Sequence, residues 1–213
     1  MSSRIERRPG SVARTGVVRG PRERGTGRPV LAEHDSMDSF SSEAGLFTYA
    51  QILHLLKIEF SRARRYDYPL TCSLFQIDRI ENLKDLYGFR VRDQIEERVV
   101  GLVHQMSRAS DFLGKVGERM ILILPHTGSE GVRTLMQRVS DSLKDMSFEI
   151  DGRNVQITLS AGVATYENKN ALFFDSVMKN AEVALREVLA RGGNGISVYS
   201  PKSDAQTPGA TRV

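Results

Sequence analysis

Apolar residues begin to recur with a regular period only near residue 44. From there Ile52, Leu55, Leu56 and Phe60 fall on one face, which predicts a helix over 44–66 closing in the basic run Arg62-Ala63-Arg64-Arg65. Residues 69–77, PLTCSLFQI, are rich in apolar residues and predict a strand. A short helix over 79–86 and a turn at Tyr87-Gly88 follow. Ile95, Val99, Leu102, Val103 and Met106 then share one face of a helix over 89–107. Two strands at 112–116 and 119–124, separated by a minimal turn, predict a hairpin. Thr127 to Glu130, TGSE, fits a capping box that opens a helix carrying Val132, Leu135, Met136, Val139 and Leu143. Strands at 146–150 and 154–164 are expected to pair around DGRN, and in the second Val155, Ile157, Leu159, Ala161 and Val163 alternate cleanly. A helix over 170–191 stops at GGNG, where glycine suits a C-terminal cap, and ISVYS is a last strand.

This order predicts an α/β (α+β) body with a central mixed β-sheet flanked by helices; the hairpin excludes a doubly wound parallel sheet. The body spans 43–200. Residues 1–42, rich in Arg, Gly, Pro and Ser, bury too little apolar surface to offset their ordering entropy and are expected to be a disordered tail, as is 201–213.

Charge sharpens that division. Of the formal +4, residues 1–28 hold eight Arg against two Glu, so the basicity belongs to the tail and the body is near neutral. By electrostatics such a body is a poor nucleic-acid-binding domain, and nucleic acid is an unexpected partner. One cysteine, Cys72, excludes an internal disulfide framework and suits a reduced, cytoplasmic protein. No apolar run approaches the roughly 18 residues that a spanning helix needs. The four histidines are scattered and, with one Cys, make no zinc-type cluster.

Four phrases carry a resemblance: RARRYDYPLTCSLFQIDRIENLKDLYGFRVRD, RASDFLGKVGERMILILPHT, ITLSAGVATY and AEVALREVLARGGNGISVY. Over about residues 44–199 the chain resembles the GGDEF domain of diguanylate cyclases, which condense two GTP molecules into cyclic di-GMP. The resemblance implies the palm-like fold shared with adenylyl cyclases, and it aligns Val116 to Met120, VGERM, with the signature turn.

Against that pattern the catalytic set is degenerate. Gln76 stands where the family has a metal-binding Asp, in QID rather than DID, with Asp78 retained. Gly117 and Glu118 keep two letters of the signature, but Arg119 replaces its next acid, and Val116 stands at the first glycine. Lys84 and Glu81 occupy the positions of a nucleotide-binding Asn and Lys, Asp93 is kept beside Arg92, and Leu189 and Gly193 replace two triphosphate-binding cations. Magnesium binds carboxylate oxygens in fixed geometry, so no magnesium, no other cofactor and no turnover are expected.

What survives is Arg108 and Asp111, the R-x-x-D that in the family is the inhibitory site for cyclic di-GMP. Arg can grip guanine N7 and O6 or a phosphate, and Asp can accept from the guanine N1 and N2 edge. A further Arg often comes from the next helix, where Arg138 is the best match and Arg133 the second. The resemblance thus implies an inactive domain that receives cyclic di-GMP and relays it to a protein partner; the basic tail, expected to be mobile, is the candidate effector arm, and a homodimer is a further expected assembly. The competing readings are a surface ion pair between Arg108 and Asp111 in an interaction module that binds no nucleotide, and a weak cyclase working with an active partner.

Overall fold

The computed structural model describes residues 45–168 and 170–200. The two expected tails, at 1–42 and 201–213, lie outside these residues. The elements run α1 (Tyr49–Tyr66), β1 (Leu70–Ile77), α2 (Ile80–Tyr87), α3 (Phe89–Met106), β2 (Phe112–Val116), β3 (Arg119–Pro125), α4 (Ser129–Asp145), β4 (Phe148–Ile150), β5 (Arg153–Val155), β6 (Leu159–Tyr166), α5 (Phe174–Ala190) and β7 (Gly195–Val198).

Five strands form one sheet in the order β2-β3-β1-β6-β7. Only β6 and β7 run parallel; the other pairs are antiparallel, so the sheet is mixed, as the pattern predicts. Strand β1 sits in the middle, with Phe75 opposite Met120 on one side and Ala161 on the other. Period-two alternation gives each strand two inward faces. Phe75, Ile77, Met120, Leu122, Leu159 and Val163 meet the helix residues Ile95, Val99, Val103, Val132, Met136 and Val139. Leu70, Cys72, Leu74, Ile121, Ile123 and Tyr166 meet Ile52, Leu56, Phe60, Val177, Ala181 and Leu185 on the other side. Helices α3 and α4 therefore cover one face and α1 and α5 the other, and each buries a single stripe.

Three expectations need correction. The strand expected over 154–164 is broken: β5 pairs only with β4 in a separate two-stranded sheet, while β6 joins the main one. The capping box expected at Thr127 does not form, because its hydroxyl donates to the Pro125 carbonyl at 3.1 Å and Gly128 stands at the cap. The box is at α1 instead, where Thr48 Oγ1 accepts from the Gln51 amide and Gln51 Oε1 accepts from the Thr48 amide at 2.9 Å. That cap moves the start of the first helix from 44 to Tyr49.

The residues freed by this shift have their own role. The Phe47 amide donates to the Leu113 carbonyl at 2.9 Å, and the Lys115 amide to the Phe47 carbonyl at 3.0 Å, so a short strap lies along β2. Among the described residues no helix is long and apolar enough to cross a membrane.

Candidate functional site

The β2–β3 hairpin closes with Val116 opposite Arg119, leaving Gly117 and Glu118 as a two-residue turn. Gly117 has φ of +62°, the left-handed conformation that favours glycine at the first central position of such a turn. Beside it lies a cavity of about 440 Å³ lined by Gln76, Val116, Glu118 and Arg119 together with Tyr49, Leu74, Met178 and Glu182. Four of the residues singled out from sequence are thus brought together.

Their charges are already matched internally. Arg119 pairs with Glu182 of α5 at 3.3 Å, and Arg186 lies 3.8 Å from the same carboxylate. Lys84 pairs with Glu81 one helical turn before it. Arg92 lies 3.7 Å from Glu81 and 3.3 Å from Glu96, and Lys115 donates to Glu96 at 2.6 Å in a buried pair. Glu118 and Glu81 are neighbouring acids that act on each other's titration. The Glu118 carboxyl is pushed up, first by desolvation and then by Glu81, while Glu81 is held down, first by Lys84.

This donor set does not fit magnesium. Gln76 offers a neutral amide, burial and the neighbouring Glu81 push the Glu118 carboxyl up and so disfavour its charged form, and a guanidinium stands at the adjacent position. Among the described residues no group of three or more His, Cys, Asp or Glu is placed to hold a metal ion.

Asp78 and Asp93 do not join the cavity. Asp93 is exposed on α3. Asp78 accepts from the Thr158 hydroxyl at 2.7 Å, the Ser160 hydroxyl at 2.6 Å and the Asn194 amide at 2.9 Å. It ties the end of β1 to β6 and to the loop before β7. Asp78→Ala would leave those donors without their shared acceptor. It is expected to cost about 2 kcal/mol, measured by chemical denaturation, whereas a cost near zero would refute this structural role.

The second locus is the turn after α3. The Arg108 amide donates to Asp111 Oδ2 at 2.7 Å, and the Asp111 amide donates to the Arg108 carbonyl at 2.9 Å. Asp111 Oδ1 is buried and has no hydrogen-bond partner among the described residues. Burial pushes the Asp111 carboxyl up, opposed by the Arg108 amide and charge. The Arg108 side chain is exposed, and the pair makes no side-chain salt bridge. Asp111 therefore caps the turn through one oxygen and keeps the other unused. Arg138 is exposed on α4, with no ion pair to Asp111 among the described residues, and Arg133 lies 3.8 Å from Glu130.

Sequence reasoning missed the partners: Glu182, Glu96 and Lys115. Glu96 had a signal, because it sits among Ile95, Val99 and Val100 on the buried side of α3, where a charge calls for a buried counter-charge.

A family model described as "Diguanylate cyclase, GGDEF domain" matches residues 42–195. Diguanylate cyclase DgcP of Pseudomonas aeruginosa is 26% identical over 155 residues, covering 72% of this chain and 23% of that protein. Diguanylate cyclase A of Treponema denticola is 27% identical over 146 residues, covering 68% of this chain and 38% of that protein. The chain thus spans well under half the length of these curated relatives. The crystal structure of the GGDEF domain of DgcB from Caulobacter crescentus, in complex with c-di-GMP, superposes with a TM-score of 0.68. Its sequence is 19% identical, and the match covers 72% of this chain and 91% of that one.

Proposed function

This chain belongs to the GGDEF domain family of diguanylate cyclases, and from that premise we propose that it is a member without cyclase activity, acting as a cyclic di-GMP receptor. The ligand is held at Arg108 and Asp111, with Arg138 as the added cation, and its arrival is relayed to a protein partner. The observation that carries this reading is the half-used Asp111 carboxylate: one oxygen fixed by the Arg108 amide, the other buried without a donor. A buried acceptor without a donor is unfavourable, and the N1 and N2 hydrogens of a guanine would satisfy it once the Asp111 side chain turns that oxygen outward to meet them. The exposed guanidinium beside it can stack on the same base or reach a phosphate.

The silent-enzyme half rests on the hairpin cavity. Phosphoryl transfer needs metal ions and cations aimed at the triphosphate. Here the amide of Gln76 and the Arg119–Glu182 pair stand in their place, and Lys84 and Arg92 are neutralised by Glu81 and Glu96.

Two assays on the full chain test the reading. Calorimetric titration with cyclic di-GMP is expected to give a dissociation constant in the micromolar range or tighter. Incubation with GTP and magnesium is expected to release no pyrophosphate above the protein-free control. Absence of binding by the folded protein would leave an interaction module that takes no nucleotide. Steady pyrophosphate release would make it a weak cyclase.

A further inference from the structure

The strap Gly45–Thr48 is fastened to the strand that begins one residue after Asp111. Phe47 bonds across β2 to the Leu113 carbonyl and the Lys115 amide, at 2.9 and 3.0 Å. Its ring meets Phe112 edge-on, with centroids 6.0 Å apart at 63°. Gly114 has no room for a side chain: a Cβ there would lie 2.8 Å from the Phe47 carbonyl oxygen and 2.9 Å from Ile52 Cβ. The strap is anchored on both sides of the sheet edge, since Leu46 is buried in the core that holds Leu113 and Phe47 packs on the core that holds Ile52. Beyond it, Thr48 caps α1.

We propose that Phe47 is a positioning residue for the Asp111 site and that the strap couples ligand binding to the chain segment before residue 45. This rests on the receptor reading above. Phe112 is covalently next to Asp111 and in ring contact with Phe47, so a ligand that fixes the Asp111 carboxylate fixes the start of β2 and the strap's seat on it. The strap's two backbone bonds and its close packing on Gly114 hold it to β2 as one unit, so the proposed coupling acts on the strap's registration as a whole. The coupling is reciprocal: what the ligand does to the strap, loss of the strap does to ligand affinity. Residues 1–44, with their eight Arg at 1–28, are thereby linked to the ligand through three residues of β2.

The test uses the full chain with Ser41→Cys carrying an environment-sensitive fluorophore. Cys72 stays unlabelled, being buried with its thiol pushed up to about 12. With Phe47 intact, cyclic di-GMP is expected to change the fluorescence, saturating where the calorimetric heat saturates. Phe47→Ala is expected to lose that response and to weaken binding by about fivefold, while Phe47→Tyr keeps both. Hydrogen exchange on the unmutated chain reads the same coupling without a variant, through ligand-dependent slowing at the Phe47 and Lys115 amides. Ligand heat with no fluorescence change and no slowing at these amides overturns the coupling and leaves the receptor reading standing. An unaltered response in Phe47→Ala also overturns it. No heat from the unmutated chain overturns the receptor reading, and the coupling with it.

Discussion

Gly162→Ala is expected to lower the thermal midpoint by roughly 6–12 °C, corresponding to a loss of about 3 kcal/mol or more. Gly162 lies on β6 under α5. A Cβ there would meet the Leu185 amide nitrogen at 2.1 Å, the Ala181 carbonyl oxygen at 2.2 Å and Leu185 Cα at 2.7 Å. All three are backbone atoms, so no side-chain rotation relieves the clash. The helix itself must lift off the strand, and with it Val177, Leu185 and Val188, which are buried against the sheet. Small residues on α5, Ala181 and Ala184, make the close approach possible from the other side. Gly101 is the control. It lies on the exposed side of α3 with nothing within 4 Å of an added Cβ, so Gly101→Ala is expected to raise stability by about 0.5–1 kcal/mol. Circular dichroism melts of the two variants decide it. A shift under about 2 °C for Gly162→Ala would mean that α5 is not held as tightly as the contact implies.

That contact shows where the sequence speaks and where it stops. A glycine inside the alternating run ITLSAGVATY signals a close backbone approach, but not which backbone approaches. The same limit explains the broken strand. Val155, Ile157 and Leu159 stay inward while the chain leaves the small sheet and enters the large one, because alternation reports the side a residue faces and not the strand it pairs with. The capping pattern fits both TGSE and TYAQ. Only the tertiary setting separates them: the Thr127 hydroxyl turns to the Pro125 carbonyl, and Thr71 takes the Thr127 carbonyl at 2.6 Å. Helix faces and the mixed sheet were legible because each element's burial follows its own period. At the hairpin, the residues were legible from the family resemblance, but their neutralising partners were not. Arg119 meets Glu182, 63 positions away, and no local period encodes such a pair.

Arg108→Ala is expected to weaken cyclic di-GMP binding by about 100-fold, and the double variant with Asp111→Ala to abolish measurable heat. The first figure is the loss of charge-assisted hydrogen bonds worth on the order of 3 kcal/mol together. Because Arg108 is exposed and contributes only backbone groups to its turn, its truncation leaves the fold unchanged, and the melting midpoint should stay within about 2 °C. A pH series adds an independent check. Burial holds the Asp111 carboxyl above its ordinary range, so the folded chain takes up a proton there before the unfolded chain does. Its ionised form therefore weighs slightly against folding, a cost that appears as pH rises through the raised value and vanishes below the ordinary one. Guanine donors favour that ionised form, so affinity should climb as pH rises through the raised value and level off above it. Asp111→Asn keeps the shape, removes the titration and offers at best one weak acceptor; its residual binding should be flat across the same range. Affinity that does not vary with pH in the unmutated chain, or that survives Arg108→Ala, would place the ligand elsewhere on the molecule.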